Sequence, residues 1–394
     1  DVAGAAIRLA RDGFPVMPGM ATAVRAARAR LSKDAGSAAL YLRNGEPPAA
    51  NSRATNPDLA AMLETLACRG SAESFYRGDI AARIAAAFKA GGGLVTEADM
   101  AAYRAREIEP LTFAWNGLTV RTPPPTAGGA TALQALSVLK ALGWDRWPAD
   151  DPRAARARVE TLRLCWDDRL KYLGDPVGQA VPDSTKSQTQ PDLLGTHRIS
   201  DLAAKVAQSL RDGKPVVAHS DGRTAGGTIH LSAADAKGMM VAITLTHGGS
   251  FGAQVTVPGL GLTLGHGMSR FDPRPNHPNS PGPGKRPLHN MCPTLVLKDG
   301  RPVVAVGGRG GRKIPNALFE VLAQHVGRGT SMADAIAGPR LHTEGGMRLE
   351  HEKALPEADV ARFKAAGYTV VQAASAVASA VWRDDSGGYR GASR

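Results

Sequence analysis

The chain changes character at Gly226-Gly227-Thr228, where a polar, glycine-rich loop meets a run of β-forming residues. Before this junction the apolar residues recur mainly with helical spacing, and after it they recur in short β-rich runs separated by turns. The predicted elements after the junction are a hairpin of residues 228–232 and 240–246, a second hairpin of 294–297 and 303–306, and a helix over 314–325. Strands followed by packed helices predict a layered domain of mixed α and β structure.

The region before the junction is predicted to be mostly helical. Its predicted elements are helices over 2–12, 74–90 and 131–142, a helix with Thr96 as its N-cap, a strand over 112–121 and a short helix over 200–210. Residues 175–227 around that last helix are rich in polar residues, Pro and Gly, so we interpret them as exposed loops. The pattern predicts a mainly helical region 1–227 and a second region 228–394.

Composition excludes several classes of protein. With 394 residues, 43% of them hydrophobic, the chain can bury a sizeable core, and no apolar run reaches the roughly 18 residues of a membrane span. Three cysteines, Cys68, Cys165 and Cys292, lack metal-ligand spacing, so no metal or other cofactor is predicted. The net charge of +12 and the tract 307–313 raise nucleic-acid binding as an alternative. We disfavour it because the tract lies at a predicted strand–helix junction and aromatic residues make up only 5% of the chain.

The junction suits one kind of chemistry. A threonine hydroxyl is a weak nucleophile until a base removes its proton, and cleavage between Gly227 and Thr228 would free an α-amine with a reference pKa of about 7.7–8.0. That amine would be a base beside its own hydroxyl, as in hydrolases that use an N-terminal threonine. The simpler interpretation is a plain turn before a strand, which is what most Gly-Gly-Thr sequences form.

Two further features fit the same chemistry. Thr246 ends the partner strand of the predicted hairpin, where it can hydrogen-bond Thr228. Gly310 and Gly311 lie between a strand and a helix, where they can aim main-chain N–H groups at an oxyanion. The simpler interpretation of Gly310 and Gly311 is a packing or phosphate-binding turn, which glycines before a helix commonly form. His230, close by, is interpreted as a structural histidine.

The order of these pieces resembles the γ-glutamyltranspeptidase family of N-terminal-nucleophile hydrolases. The collinear stretches that carry the resemblance are AIRLARDGFPV (6–16), FYRGDIA (75–81), GGLVTEADMAAY (92–103), PPPTAGG (123–129), TIHLSAAD (228–235), GPGKRPLHNMCPTLVLKDG (282–300), GGRGGRKI (307–314) and GPRLH (338–342). The resemblance implies an α+β fold, a four-layer αββα sandwich. The matching stretches begin partway into the family's large subunit, so the family's N-terminal segment has no counterpart in the match.

The resemblance also implies roles for individual residues. Thr228 matches the nucleophile, with cleavage after Gly227, and Thr246 matches a second threonine that supports it. Gly310 and Gly311 match the oxyanion glycines. The expected product is an enzyme made of the chain's own two fragments that acts on a small amide or peptide. Family analogy suggests a periplasmic or secreted location, while a cytoplasmic location and homo-oligomerisation stay open.

The substrate pocket departs from the family pattern. Where the family holds the substrate α-amino group with Asn, Gln and Asp, the matching residues are Gly248, Gly267 and Arg270, and the family's Ser-Ser pair matches His289 and Asn290. An arginine in place of an acid would repel a free ammonium by roughly a kcal/mol or more. The sequence therefore predicts an acyl group with a carboxylate or carbonyl and no α-amino group, as in family branches that act on oxamate or cephalosporins.

Two other functions stay open at this point. One is a true γ-glutamyltransferase or glutathione hydrolase with a remodelled pocket. The other, from a different class, is a catalytically silent family member that serves as a binding or structural protein.

Overall fold

The computed structural model describes residues 2–148, 150–175, 192–220, 227–352, 355–384 and 386–394. Most of the predicted loop 175–195, and Gly226 of the junction, lie outside the described residues. The chain forms two compact units, Asp1–Glu107 with His247–Gly267, and Ile108–Thr246 with Met268–Arg394. The predicted division between Gly227 and Thr228 falls inside the second unit, so it remains a proposal about where the chain is cut.

The first unit is mainly helical. Its elements are α1 (Gly4–Asp12), β1 (Phe14–Pro15), α2 (Pro18–Leu31), α3 (Ala35–Tyr41), β2 (Arg53–Ala54), α4 (Pro57–Arg69), α5 (Glu73–Arg77), α6 (Asp79–Ala90), α7 (Glu97–Ala102), β7 (Thr256–Val257) and β8 (Leu262–Thr263). The predicted N-cap is confirmed, because Thr96 Oγ1 accepts the Asp99 amide at 3.2 Å and the Thr96 amide donates to Asp99 Oδ2 at 2.8 Å. The single helix predicted over 74–90 is wrong, because Gly78 is extended and separates α5 from α6.

The second unit contains the longer strands. Its elements are β3 (Leu111–Trp115), β4 (Leu118–Thr122), α8 (Gly129–Ala141), α9 (Arg153–Tyr172), α10 (Thr196–Asp212), β5 (Thr228–Ala234), β6 (Met240–Thr246), β9 (Thr294–Lys298), β10 (Arg301–Arg309), α11 (Lys313–Leu322), α12 (Met332–Ala337), β11 (Leu341–His342), β12 (Arg348–His351), α13 (Glu357–Ala365), β13 (Thr369–Gln372), β14 (Val377–Arg383) and β15 (Tyr389–Ser393). An antiparallel six-stranded sheet runs in the order β15-β14-β10-β9-β4-β3. Both hairpins predicted after the junction are confirmed, as β5–β6 and β9–β10.

Two predictions in this unit need correction. The single strand predicted over 112–121 is two strands joined at Asn116 and Gly117, which have φ of 49° and 76°. Asn-Gly is a strong hairpin signal because both residues tolerate positive φ. The helix predicted over 314–325 is α11 followed by a π-helical turn, Ala323–Gly327.

Strand β10 shows how the layers are stacked, because successive strand residues point to opposite faces of a sheet. On one face, a Cβ added to Gly308 would lie 3.5 Å from Leu318 of α11. On the other face, a Cβ added to Gly307 would lie 2.1 Å from the ring of His230 on β5. Helices, the six-stranded sheet and the β5–β6 hairpin therefore follow one another as layers, and the predicted α+β class is confirmed.

Candidate active site

The β5–β6 register brings the two predicted threonines together. Thr228 pairs directly with Thr246 across the hairpin, and both side chains lie on the hairpin face towards β10. Thr228 Oγ1 donates to Thr246 Oγ1 at 3.2 Å, and Thr246 Oγ1 donates to the main-chain oxygen of Gly227 at 2.5 Å. One hydroxyl therefore contacts both the predicted nucleophile and the carbonyl of the predicted scissile bond.

The backbone conformation explains why a glycine precedes Thr228. Gly227 has φ of 106°, a region that residues with a Cβ rarely adopt. A side chain at this position would strain the backbone that directs the Gly227 carbonyl towards Thr246. The structure thus gives local support for a glycine at this junction without any appeal to chemistry.

His230 has the structural role expected from sequence. Its Nδ1 lies 2.8 Å from Thr244 Oγ1 and its Nε2 lies 2.9 Å from Ser232 Oγ, so both ring nitrogens have hydroxyl partners. Burial lowers the pKa of His230 to about 4, so the ring is neutral near pH 7. The ring fills the space left by the missing side chain of Gly307.

The glycine pair at the end of β10 forms a turn that requires glycine. Gly310 and Gly311 have φ of 139° and 65°, and a Cβ on Gly310 would lie 2.7 Å from Ala376 Cα. Their carbonyl oxygens accept the amides of Lys313 and Ile314, at 3.3 and 3.2 Å, at the start of α11. Within the described ranges, neither glycine amide has a hydrogen-bond acceptor.

Two of the predicted pocket residues, His289 and Asn290, contact a buried arginine that the sequence did not single out. Arg169 of α9 is 2% exposed and donates to the His289 carbonyl at 2.8 Å and to Asn290 Oδ1 at 3.1 Å. Its other described bonds go to Thr131 Oγ1 and the Ala127 carbonyl, so all four acceptors are uncharged. Arg169 therefore fixes the segment that carries both predicted pocket residues while bringing a buried positive charge to it.

Three guanidinium groups, those of Arg169, Arg270 and Arg312, lie near one another here. Arg169 and Arg312 each lie 5.5 Å from the centroid of the Trp166 ring. Burial, and then the charges of Arg169 and Arg270, lower the pKa of His289 to about 4. Burial, and then the charge of Arg312, lower the pKa of Arg169 to about 9, so it remains protonated at neutral pH. The group is electropositive, although Glu344 pairs with Arg312 at 2.8 Å.

Arg270 ends a 3₁₀ turn, Gly267–Arg270, and its carbonyl accepts Asn279 Nδ2 at 2.7 Å. Asp272, an acid two positions after Arg270 in the sequence, accepts two hydrogen bonds of 2.9 Å from the guanidinium of Arg274. That hydrogen bonding to Arg274 lowers the pKa of Asp272 to about 2. Gly248 and Gly267, which also differ from the family's polar pocket residues, belong to the first unit.

No cluster of three or more His, Cys, Asp or Glu side chains suited to a metal ion occurs among the residues that the structure describes. A search of the same residues finds no helix with the length and apolarity needed to cross a bilayer.

The stacked helical, sheet and hairpin layers give the chain the kind of mixed α and β architecture that N-terminal-nucleophile hydrolases have. The whole chain, residues 1–394, matches the family model described as Gamma-glutamyltranspeptidase. The chain belongs to the γ-glutamyltranspeptidase family, whose members include amide hydrolases and acyl transferases.

The curated relatives point to two activities within this family. The chain is 31% identical over 368 residues to "Acylase ACY 1 proenzyme" of Pseudomonas sp. (strain SE83), covering 93% of this chain and 64% of the relative. It is 31% identical over 349 residues to "Glutathione hydrolase proenzyme" of Escherichia coli (strain K12), covering 86% of this chain and 59% of the relative. The chain thus spans about 60% of the length of these relatives.

A solved structure supports the same fold. The crystal structure of cephalosporin acylase from Bacillus halodurans matches with a TM-score of 0.85 and 25% sequence identity, covering 99% of this chain and 73% of that chain.

Proposed function

We propose that this protein is an autoprocessing amide hydrolase or acyltransferase that works through a threonine acyl-enzyme on Thr228. The observation that carries the proposal is the hydrogen-bond chain from Thr228 Oγ1 through Thr246 Oγ1 to the Gly227 carbonyl, with distances of 3.2 and 2.5 Å. The proenzyme names of the relatives support a cleaved product made of the chain's own two fragments.

Self-cleavage would begin at the Gly227 carbonyl. Thr228 Oγ attacks this carbon while Thr246 donates a hydrogen bond to the carbonyl oxygen, which carries the developing negative charge. The C–N bond then breaks, the Thr228 nitrogen takes up the proton lost from the hydroxyl, and an ester joins Gly227 to Thr228 Oγ. Water hydrolyses the ester and leaves a Gly227 carboxylate and a free Thr228 α-amine.

Turnover would reuse the same atoms. The freed α-amine takes the hydroxyl proton as Oγ attacks the substrate amide, and it returns the proton to the departing amine. Gly310 and Gly311 are proposed to donate their unused amides to the oxyanion. Water, or an acceptor amine in transpeptidation, then releases the acyl group from Thr228.

The substrate is proposed to carry a carboxylate or carbonyl but no α-ammonium. Arg270, Arg169 and Arg312 make the surroundings of His289 and Asn290 electropositive, and an arginine fork suits a carboxylate. The names of the acylase relative and of the cephalosporin acylase neighbour favour this substrate class. The second candidate is a glutathione hydrolase with an altered pocket, which the name of the Escherichia coli relative favours.

A denaturing gel with intact-mass measurement tests the proposal. The purified chain is expected to give two pieces divided between Gly227 and Thr228, and only the cleaved form is expected to hydrolyse amides. Thr228→Ala should stay in one piece and be inactive. A wild-type chain that remains intact and behaves like Thr228→Ala after long incubation would support the silent binding or structural role instead.

A further inference from the structure

The side-chain amide of Asn290 can take only one orientation. Arg169 Nη2 lies 3.1 Å from Asn290 Oδ1, and a guanidinium group donates hydrogen bonds but cannot accept them. The atom that faces Arg169 is therefore the oxygen, and the N–H groups of Nδ2 point away from the guanidinium. The two ends of an asparagine amide are often hard to tell apart, but here a partner that can only donate settles the choice.

The other end of the same amide is a donor without an acceptor. Asn290 is 8% exposed, and within the described ranges its Nδ2 has no hydrogen-bond acceptor. A buried donor that stays unpaired costs free energy, so such groups in folded proteins normally meet an oxygen of the protein, of water or of a ligand. Because Arg169 holds Oδ1, the Nδ2 donor is already oriented for such an oxygen.

The charges around Arg169 favour an anionic ligand. Among the charged groups that act most on Arg169 in the described structure, Arg312 and Arg270 are cations and Glu344 is a carboxylate. Glu344 is paired with Arg312 at 2.8 Å. Burial raises the pKa of the Cys292 thiol, the remaining group, so it is neutral near pH 7. Three guanidinium groups therefore share one carboxylate, and a bound anion would improve this balance.

We propose that Arg169 is a positioning residue that sets substrate specificity, because it turns the Nδ2 donor of Asn290 towards a carboxylate or carbonyl oxygen of the substrate. The substrate named here rests on the proposed function. Arg169 is 2% exposed, so it acts through Asn290 and through its charge. A substrate oxygen accepts from Nδ2 and is attracted by the guanidinium groups. An α-ammonium has no lone pair to offer Nδ2 and is repelled by the same charges.

The decisive variant is Asn290→Asp. It keeps the size of the side chain and offers Arg169 a carboxylate instead of an amide oxygen, so the thermal midpoint should be unchanged or higher. It also replaces the Nδ2 donor with an acceptor. In the cleaved enzyme, KM for glutaryl-p-nitroanilide should rise at least about tenfold. KM for γ-glutamyl-p-nitroanilide, which carries the ammonium, should stay the same or fall, and kcat for both should change by less than about threefold.

Two matched variants separate the direction of the donor from packing around Arg169. Arg169→Lys keeps the charge but loses the planar fork that holds the His289 carbonyl and Asn290 Oδ1, so it should shift the KM ratio in the same direction by a smaller factor. Thr131→Val removes another acceptor of Arg169, at 3.3 Å, that lies outside the 289–290 segment. Its KM ratio should match wild type. If Arg169→Lys does not fold, Asn290→Asp decides the question alone.

Calorimetric binding of glutarate needs no turnover and separates this inference from the proposed function. Wild type should bind glutarate at least about tenfold more tightly than Asn290→Asp. If wild type turns over both anilides and Asn290→Asp changes neither the KM ratio nor glutarate affinity, the positioning role is wrong and the proposed function stands. An equal shift in Thr131→Val and Asn290→Asp would also overturn it. A wild type that neither cleaves nor turns over, yet binds glutarate through Asn290, would overturn the proposed function and leave this site standing.

Discussion

The two faces of the β5–β6 hairpin have opposite character. The face towards β10 carries hydroxyl and imidazole groups that bond to one another, including Thr228, Thr246 and His230. The opposite face carries a row of exposed apolar side chains: Ile229, Leu231, Val241, Ile243 and Leu245, which are 38–63% exposed. A soluble hairpin packed on one face normally alternates apolar inside with polar outside.

Because this pattern is reversed in the β5–β6 hairpin, its two faces contribute differently to stability and to chemistry. An inner face of hydroxyl groups buries little apolar area and therefore adds little to the stability of the fold. Its hydrogen-bonded groups are better suited to a chemical role. The outer face has the apolar residues that would stabilise packing, yet it is largely exposed. The following predictions test whether activity depends on the inner face alone.

The largest effect is expected for Thr246→Val. This change keeps the side-chain shape but removes the hydroxyl that bonds both Thr228 and the Gly227 carbonyl. Loss of one oxyanion-type donor typically costs about 10²–10³ in rate, so self-cleavage should slow by about that factor. The adjacent outer-face change Leu245→Thr is the matched control and should cleave normally. Comparable slowing in both variants would mean that the hairpin as a whole, not Thr246, is responsible.

Gly311→Ala is expected to slow substrate turnover by a factor comparable to the slowing of self-cleavage in Thr246→Val. Its φ of 65° costs a residue with a Cβ roughly 1–2 kcal/mol, and the amide donor would be displaced from the oxyanion. The expected result in the cleaved enzyme is a fall in kcat of about 10²-fold with a much smaller change in KM, because the amide serves the transition state. A raised KM with normal kcat would favour an anion-binding turn that holds substrate.

Much of this site could be predicted from sequence because its signals are local. Alternating β-rich runs located β5 and β6, and the direct register between them makes Thr228 and Thr246 neighbours. Glycine pairs marked the turn before α11 because few other residues adopt its backbone angles.

The rest depended on tertiary packing that local patterns do not encode. Helix α9 buries Glu160, Arg163, Asp168 and Arg169, residue types that normally mark a solvent-exposed face. No predicted helix therefore covered α9, and its role in holding His289 and Asn290 was missed. The Arg169–Trp166–Arg312 arrangement joins residues about 150 positions apart. A Trp-Asp-Asp-Arg sequence inside a long charged helix is the only local hint.

A smaller effect on selectivity is expected for Arg270→Asp. The wild type should hydrolyse glutaryl-p-nitroanilide, which lacks the α-amino group, better than γ-glutamyl-p-nitroanilide, and should be assayed on oxamate as well. Reversing the charge should shift the kcat/KM ratio of the two anilides by at least about tenfold towards the γ-glutamyl compound, equivalent to about 1.4 kcal/mol. Arg274→Ala, which removes the guanidinium that binds Asp272, is the control. Efficient γ-glutamyl turnover that Arg270→Asp leaves unchanged would remove this substrate class and keep the nucleophile.

The inner face should also respond to pH. The pKa of His230 is about 4 in the folded chain and about 6.5 when unfolded. The unfolded state therefore binds the proton first, and the stability contributed by neutral His230 is present above about pH 6.5 and lost as pH falls towards 4. His230→Gln should lose less free energy of unfolding than wild type between about pH 7 and pH 5. His289 titrates in the same direction in both proteins, so identical losses would show that His230 adds nothing.

The smallest effect is expected on the outer face. Leu231 and Ile243 are 61% and 42% exposed, so Leu231→Thr and Ile243→Thr should each change the free energy of unfolding by no more than about 0.5 kcal/mol. Leu318→Ala, at a fully buried position of α11, should cost about 2–5 kcal/mol. Urea unfolding at two protein concentrations measures all three. If the outer-face changes cost more than about 1.5 kcal/mol, and only at the higher concentration, a second copy of the chain covers this face. The contrast between the two faces would then be between a chemical surface and an assembly surface.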